Sequence, residues 1–449
     1  MTGTARGPVA AEVRKLLSLA VPVAATQLST MLLGFVDTVM VGRVSVDSIA
    51  AASLANVWIF GTIMFANGVV MGIDPLIAQA HGAGETRSVG LTLQRGTVLA
   101  LLLSLPVAGL FLVTEHVLVF AGQDPQLARL AGDYARVQAP SVPFFLAYTA
   151  LRQYLQGREL VRPALWVILI ANGFNVLFNW VLIFGNLGFP ALGVVGAGYA
   201  TALTRGVSFV GLLVWVRAFR LHHGAWLAWS RSAISPRALA SIAAIGLPVA
   251  IQHSLEIWAF SGAALLAGWL GAVPLAAHTV ALNMAALAFM IPLGVSQGAV
   301  TRVGNLLGAR RPDDAQRAAW VAMALGCGVM TISATAFVTL RNWLPRIYTP
   351  DPDVIALCAT ILPIAAAFQL FDGTQVVGCG VLRGMGRTRP AAWFNLVGYW
   401  VLGLPIGAWL AFRAGWGLAG IWWGLCLGLA IVAALLVWWI RARGPATLR

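Results

Sequence analysis

The strongest constraint on this chain is its succession of long apolar runs, each cut off by Gly, Pro or Arg, from near the first residue to near the last. In hydrocarbon a backbone amide or carbonyl finds no water, so a crossing segment must satisfy those groups as a helix or a closed barrel. The runs have helix length, about 20 residues or more, and lack the alternation of barrel strands. Twelve are read, at 16–40, 48–74, 96–115, 131–155, 163–185, 191–216, 238–270, 274–301, 316–340, 354–382, 391–412 and 417–440. Composition agrees. Hydrophobic residues make up 59% and charged residues 10% of the 449, against roughly 45–50% and 25% in soluble chains. The fold class is an all-α polytopic membrane protein with short connections, which excludes disorder, a coiled coil and a large extramembrane enzyme domain. The segment MTGTARGPVAAEVRK precedes the first run without an A-x-A cleavage site, so that run reads as a retained first span.

Charge settles orientation before it suggests a partner. The 29 basic residues outnumber the 15 acidic ones for a net +14, which in a soluble protein would point to nucleic acid. With the N-terminus in the cytoplasm, 22 of the 29 fall on the tails and on the exits of even-numbered spans. Six lie opposite (Arg43, Arg129, Arg136, Arg341, Arg346 and Arg413), and Arg205 lies inside the sixth span. The positive-inside rule therefore puts both termini in the cytoplasm. The excess is a topology signal, and no nucleic-acid partner is expected. Four cysteines sit in apolar runs without a Cys-x-x-Cys pair, so neither a metal nor a disulfide framework is indicated.

The chain repeats itself. At an offset of 226, PVA at 22–24 matches PVA at 248–250, and GVVMG at 68–72 matches GVSQG at 294–298. Thirteen of the 66 positions over 19–84 are identical to their counterparts. Further on, LQGRELVRPALW (155–166) matches LRGMGRTRPAAW (382–393). One unit covers six spans, an even number, so the halves are parallel repeats. The expected lobes are 1–217 and 238–449, with a cytoplasmic linker at 218–237. Two six-helix lobes facing a cleft make transporter architecture.

Acidic residues inside spans are costly and mark functional sites by default. Asp74 lies near a span end, where solvent or an arginine accounts for it. Asp37, Glu256 and Asp372 lie deeper, each on a polar helical face. Gln27, Thr30 and Asp37 line one side of the first span, and Gln252 and Glu256 are four apart in the seventh. Gln369, Asp372 and Gln375 follow every third residue in the tenth, Asn172, Asn175 and Asn179 line the fifth, and the eighth adds His278 and Asn283. Interhelical hydrogen bonding is the bland account of the amides and the histidine. It fits the carboxylates less well, because no intramembrane lysine accompanies them and Arg205 cannot neutralise three. A carboxylate in a low-dielectric cleft takes up a proton or binds a cation. The acids do not repeat: Glu256 aligns with Thr30, Asp37 with Ala263 and Asp372 with Phe145. Two non-equivalent sites, one per lobe, follow.

Taken together, LAVPVAATQLSTMLLGFVDTVMVGR, GVVMGIDPLIAQAHGAGE, NGFNVLFNWVLIFG, QHSLEIWAF and LFDGTQVVGCGVLRGMGRTRP resemble the multidrug and toxic compound extrusion (MATE) transporters, NorM-type branch. The resemblance runs over nearly the whole chain. It implies two six-helix lobes, residence in the bacterial inner membrane, and export of organic cations driven by inward Na⁺ or H⁺. It also implies that Asp37 is the N-lobe acid, with Asn175 and Asn179 beside it, and that Glu256 and Asp372 are the C-lobe cation site.

No Walker A, GxSxG, HExxH or cysteine–histidine signature occurs, so neither ATP drive nor an enzymatic role is expected. The reading is a monomeric secondary antiporter without cofactors, whose partners are cationic amphipathic molecules and membrane lipids. Gln27, Thr30, Asn172, Gln252, His278, Asn283, Gln369 and Gln375 are candidate cleft residues, and Na⁺ and H⁺ both fit the acids. A flippase for lipid-linked precursors is the alternative; it would need basic residues in the cleft, where only Arg205 is available. A few of the 18 Trp could stack on an aromatic cation, the rest serving as interface anchors.

Overall fold

The computed structural model describes residues 6–448; residues 1–5 and 449, the outermost ends of the expected lobes, lie outside the described residues. All regular structure within them is helical. The first repeat supplies α1 (Arg6–Gly42), α2 (Val46–Val70), α3 (Ile73–Gly82), α4 (Thr86–Leu112), α5 (Thr114–Phe120), α6 (Pro125–Arg136), α7 (Val142–Gly157), α8 (Arg162–Phe184) and α9 (Gly193–Ala218). The second supplies α10 (Pro236–Trp269), α11 (Ala272–Gly308), α12 (Pro312–Thr339), α13 (Pro352–Gly384), α14 (Arg389–Asn395), α15 (Leu404–Phe412) and α16 (Gly417–Arg443).

Eleven helices among the described residues are long and apolar enough to cross a membrane. The fourth expected span, 131–155, is the exception. It consists of α6 and α7 on either side of a 3₁₀ turn at Ala139–Ser141. Pro140 and Pro143 explain the break: each lacks an amide hydrogen, and each disfavours helical backbone in the residue before it. The second expected span likewise divides, with α2 ending at Val70 and α3 starting at Ile73. Left-handed turns follow the repeat where glycine does not. Gly84 and Arg310 share a repeat position and have φ of 75° and 56°; Glu159 and Gly386 do the same at 63° and 73°. A non-glycine residue there costs about 1–2 kcal/mol, so the turn geometry is enforced by the helices around it.

The chain divides into two compact units. One holds the described residues up to Ala24, Gly82–Gly84 and the chain from Ile251 onward; the other holds Ala25–His81 and Glu85–Ala250. The cuts after Ala24 and Ala250 are one and the same repeat position, and both fall inside helices, α1 and α10.

The unit ending at Ala250 has one continuous apolar core, through Ile63, Ile77, Phe111, Leu146, Tyr154 and Leu212. In it the start of α10 meets the end of α2 at backbone distance. A Cβ on Gly72 or Gly246 would collide with the Ile242 or the Val69 carbonyl oxygen. In the other unit the start of α1 lies as closely on α11, where a Cβ on Gly294 would stand 2.6 Å from that of Ala24. There Arg302 also donates both Nε (2.7 Å) and Nη2 (2.8 Å) to the Glu12 carboxylate. This unit has two apolar cores. One includes Ala259, Phe368, Tyr399 and Trp422, the other Leu16, Val303, Val377 and Leu436.

Between α14 and α15 the helix widens into a π-helical segment, Leu396–Gly403. Its wider turn brings Gly398 and Gly403, five residues apart, onto the side that faces α16. There they meet Gly424 and Gly428, which an α-helix brings to one face at a spacing of four. A Cβ on Gly428 would collide with the Gly398 carbonyl oxygen, and one on Gly424 with Gly407. Such close approach holds helices together where lipid offers no hydrophobic drive between them.

This seam makes a clear prediction for stability. Gly424→Val should destabilise the protein by about 1–3 kcal/mol, an ordinary overpacking cost. Gly34→Ala, where a Cβ meets nothing within 4 Å, should be neutral. Thermal unfolding in detergent compares the two directly.

Candidate functional site

Each unit holds its own acidic cluster. In the unit ending at Ala250, Asp37 of α1 is 8% exposed and hydrogen-bonded through both oxygens. Asn179 Nδ2 donates to Oδ1 at 2.5 Å and Thr201 Oγ1 donates to Oδ2 at 2.9 Å. Asn179 Nδ2 also reaches Asn175 Oδ1 at 3.2 Å, the four-residue spacing stacking both amides on one face of α8. Both asparagines are fully buried, and Asn175 Nδ2 and Asn179 Oδ1 have no partner among the described residues. Arg205, one turn beyond Thr201 on α9, lies close enough to act on the Asp37 charge. Its guanidinium donates to Ser141 Oγ at 3.1 Å and sits 5.5 Å from the Phe145 ring centre. Tyr134 completes the surround and donates to Asn56 Oδ1 at 3.3 Å. Asp37 is thus a carboxylate held by neutral donors with one arginine nearby.

The second cluster is differently built. Along α13 one apolar core ends at Phe368 and the other begins at Val376, and Asp372 lies in the gap with Gly373 and Gln375. Asp372 is 4% exposed, and its Oδ1 has no hydrogen-bond partner among the described residues. Glu256 of α10 is near enough to repel it. Gln375 lies within hydrogen-bonding range of Glu256 and donates Nε2 to Asn395 Oδ1 at 3.0 Å, which leaves its own Oε1 without a partner. Tyr399, on the π-helical segment, is fully buried with an unpartnered hydroxyl and feels both carboxylates. Trp400 Nε1 donates to the Leu255 carbonyl at 3.0 Å, tying that segment to α10 beside Glu256. An aromatic wall flanks the site, Phe260 lying 6.0 Å from both Tyr399 and Phe368.

No arginine or lysine pairs with Glu256 or Asp372 among the described residues. A buried carboxylate beside a half-buried one, without a counter-charge, is not stable as one of two anions, so the pair calls for a proton or a bound cation. The described residues contain no group of three or more His, Cys, Asp or Glu arranged to hold a metal ion. The further oxygens available beside the pair are the amide of Gln375 and the phenol of Tyr399, groups of the kind that suit a hard cation.

Other candidates are dispersed. Gln27 accepts from Arg152 Nη1 at 3.3 Å, and Asn172 Nδ2 donates to the Ser29 carbonyl at 2.9 Å, so these two tie helices together. The Thr30 hydroxyl returns to the Thr26 carbonyl of its own helix. Gln252 is buried beside Cys379. His278 is fully buried, its ring 5.7 Å from that of Trp422, with neither nitrogen partnered among the described residues. Gln369 is fully buried and likewise unpartnered among the described residues, while Asn283 is exposed on α11. Sequence reading passed over Thr201 and Tyr134 around Asp37, and Asn395 and Tyr399 around Asp372. Thr201 with Arg205, and Asn395 with Tyr399, are polar pairs four apart in apolar runs. The asparagines of α8 were found by that same signal.

The MatE family model matches residues 22–181 and 248–409, one match in each repeat. The probable multidrug resistance protein NorM of Mesorhizobium japonicum is 36% identical over 445 residues, covering 96% of this chain and 94% of that protein. The multidrug resistance protein PmpM of Pseudomonas aeruginosa is 36% identical over 436 residues, covering 95% and 91%. Among solved structures, the eukaryotic MATE transporter AtDTX14 superimposes with a TM-score of 0.89 at 24% identity over 98% of each chain.

The hydrogen bonds around Asp37 predict an asymmetry between two threonines. Thr201→Val removes a donor from a buried carboxylate and should cost about 1–3 kcal/mol. Thr30→Val only removes a bond within its own helix and should be close to neutral. Denaturation midpoints of the purified variants test this.

Proposed function

This chain belongs to the MATE transporter family, and on that premise we propose that it is a multidrug efflux antiporter of the inner membrane. It exports amphipathic organic cations in exchange for Na⁺ or H⁺, works as a monomer and keeps both termini in the cytoplasm. The observation that carries this reading is the pair of buried Asp372 and half-buried Glu256, close enough to repel one another and without a basic partner among the described residues. Such a pair is unfinished until a cation or proton joins it.

In the proposed cycle, Glu256 and Asp372 take up the coupling ion, with Gln375 and Tyr399 supplying further oxygens. Asp37, held by Asn179 and Thr201 with Asn175 bonded behind Asn179, forms a second coupling site in which Arg205 limits the negative charge. An ion shifts a conformational equilibrium only by its difference in affinity for the two states. The carboxylates must therefore change their surroundings between the states, and the cationic substrate competes for the same negative charge. Transport of a lipid-linked pyrophosphate is disfavoured, because Arg205 is engaged by Ser141 and Phe145 and Arg152 by Gln27.

Proteoliposomes loaded with a fluorescent organic cation test the reading under an imposed Na⁺ gradient or an imposed pH gradient. One of the gradients should drive transport. Glu256→Gln and Asp372→Asn should each reduce it by about 5- to 150-fold, the usual range of coupling between sites. Undiminished ion-driven transport in both variants would remove these residues from the coupling site.

A further inference from the structure

The connection between α9 and α10 carries more than topology requires. From residue 160 to residue 255 the sequence contains no acidic residue. Within this acid-free stretch Arg217, Arg220, Arg231 and Arg237 cluster about the connection, all four exposed and none in an ion pair among the described residues. Large apolar side chains are exposed among them, with Phe219 63% and Trp229 60% accessible. Arginines that only set topology need neither aromatic neighbours nor a fixed backbone.

This backbone is fixed. Gln94 of α4 donates Nε2 to the carbonyls of Leu227 (3.0 Å) and Ala228 (2.9 Å), and its Oε1 accepts from Ser230 N at 3.2 Å. Tyr154 of α7 donates to the Ala225 carbonyl at 3.1 Å, and Arg158 donates to the carbonyls of Leu221 and His223. Gly90 helps, since a Cβ there would stand 2.9 Å from the Ala225 carbonyl oxygen. The strap's backbone is thus clamped where two apolar helices end, which fixes in advance the positions from which its side chains project.

We propose that the strap formed by residues 217–237 is a binding surface for anionic phospholipid headgroups of the adjacent leaflet. The arginines meet the headgroup phosphates, a geometry their forked guanidinium groups fit, and Phe219 and Trp229 seat in the interface beneath them. The acid-free sequence gives charge complementarity over the whole surface, and a zwitterionic headgroup offers it no net charge. The proposal is independent of the coupling-ion assignment, because none of these residues belongs to either acidic cluster.

The test uses full-length protein, delipidated in detergent and titrated with phosphatidylglycerol or phosphatidylcholine, with bound lipid counted by native mass spectrometry. Wild type should prefer phosphatidylglycerol. The variant Arg217→Gln, Arg220→Gln, Arg231→Gln, Arg237→Gln should lose at least roughly tenfold of that preference, given the contribution of each basic residue near an anionic surface. Lysine at the same four positions should keep most of it. Arg341→Gln, Arg346→Gln and Arg413→Gln, on the opposite side, should leave it unchanged. Equal phosphatidylglycerol binding by wild type and the four-glutamine variant overturns the proposal, as does equal displacement by inorganic phosphate. If that variant does not fold, the fluorescence difference between wild type and Trp229→Phe is read instead. Its quenching by brominated phosphatidylglycerol should exceed that by brominated phosphatidylcholine, and equal quenching overturns the proposal.

Discussion

Everything at the C-terminal acidic cluster depends on how closely other helices approach α13. Hydrocarbon gives no hydrophobic drive between helices, so they are held by packing and hydrogen bonds, and small residues decide how near two backbones come. A Cβ on Gly373 would stand 2.8 Å from the Gly326 carbonyl oxygen of α12, and one on Gly384 2.8 Å from the Val300 carbonyl oxygen of α11. Gly380 meets Ser296 as tightly, and the Ser296 hydroxyl donates to the Val376 carbonyl at 2.6 Å. Walled in on these sides, Asp372 is hydrated too little to carry an unbalanced charge. The packing thereby creates the chemistry: a carboxylate that must be protonated, paired or bound to a cation.

The two clusters meet this requirement in different ways. Around Asp37 two neutral donors and a nearby arginine offset part of the cost of burying a carboxylate. Around Glu256 and Asp372 two acids repel one another, and the nearest polar atoms of Gln375 and Tyr399 include acceptors without donors of their own. One scaffold, duplicated, therefore holds a single hydrogen-bonded acid in one unit and an unfinished pair in the other. The repeat shares its glycines, as at Gly68 and Gly294, because helix contact is common to both copies. It does not share its acids.

The π-helical segment ties seam and site together. The same extra residue per turn that aligns Gly398 and Gly403 with α16 turns Tyr399 toward the two carboxylates. Asn395 at its start holds Gln375, and Trp400 within it holds the α10 backbone beside Glu256.

The sequence by itself determined the class of fold, the twofold repeat and the three carboxylates inside apolar runs. These features follow from burying backbone and charge in lipid, where the penalties are large enough to be written into every crossing segment. The i, i+4 pair Asn175 and Asn179 was legible for the same reason, since both partners lie on one helix. Only the tertiary structure decided which polar residues meet. Thr201 reaches Asp37 from a helix 164 residues along the chain, and Gln27, on the same face of α1 as Asp37, turns instead to Arg152. The widened turn at Tyr399 also waited for the fold. It depends on which neighbours press against the helix, and an apolar run carries no record of its neighbours.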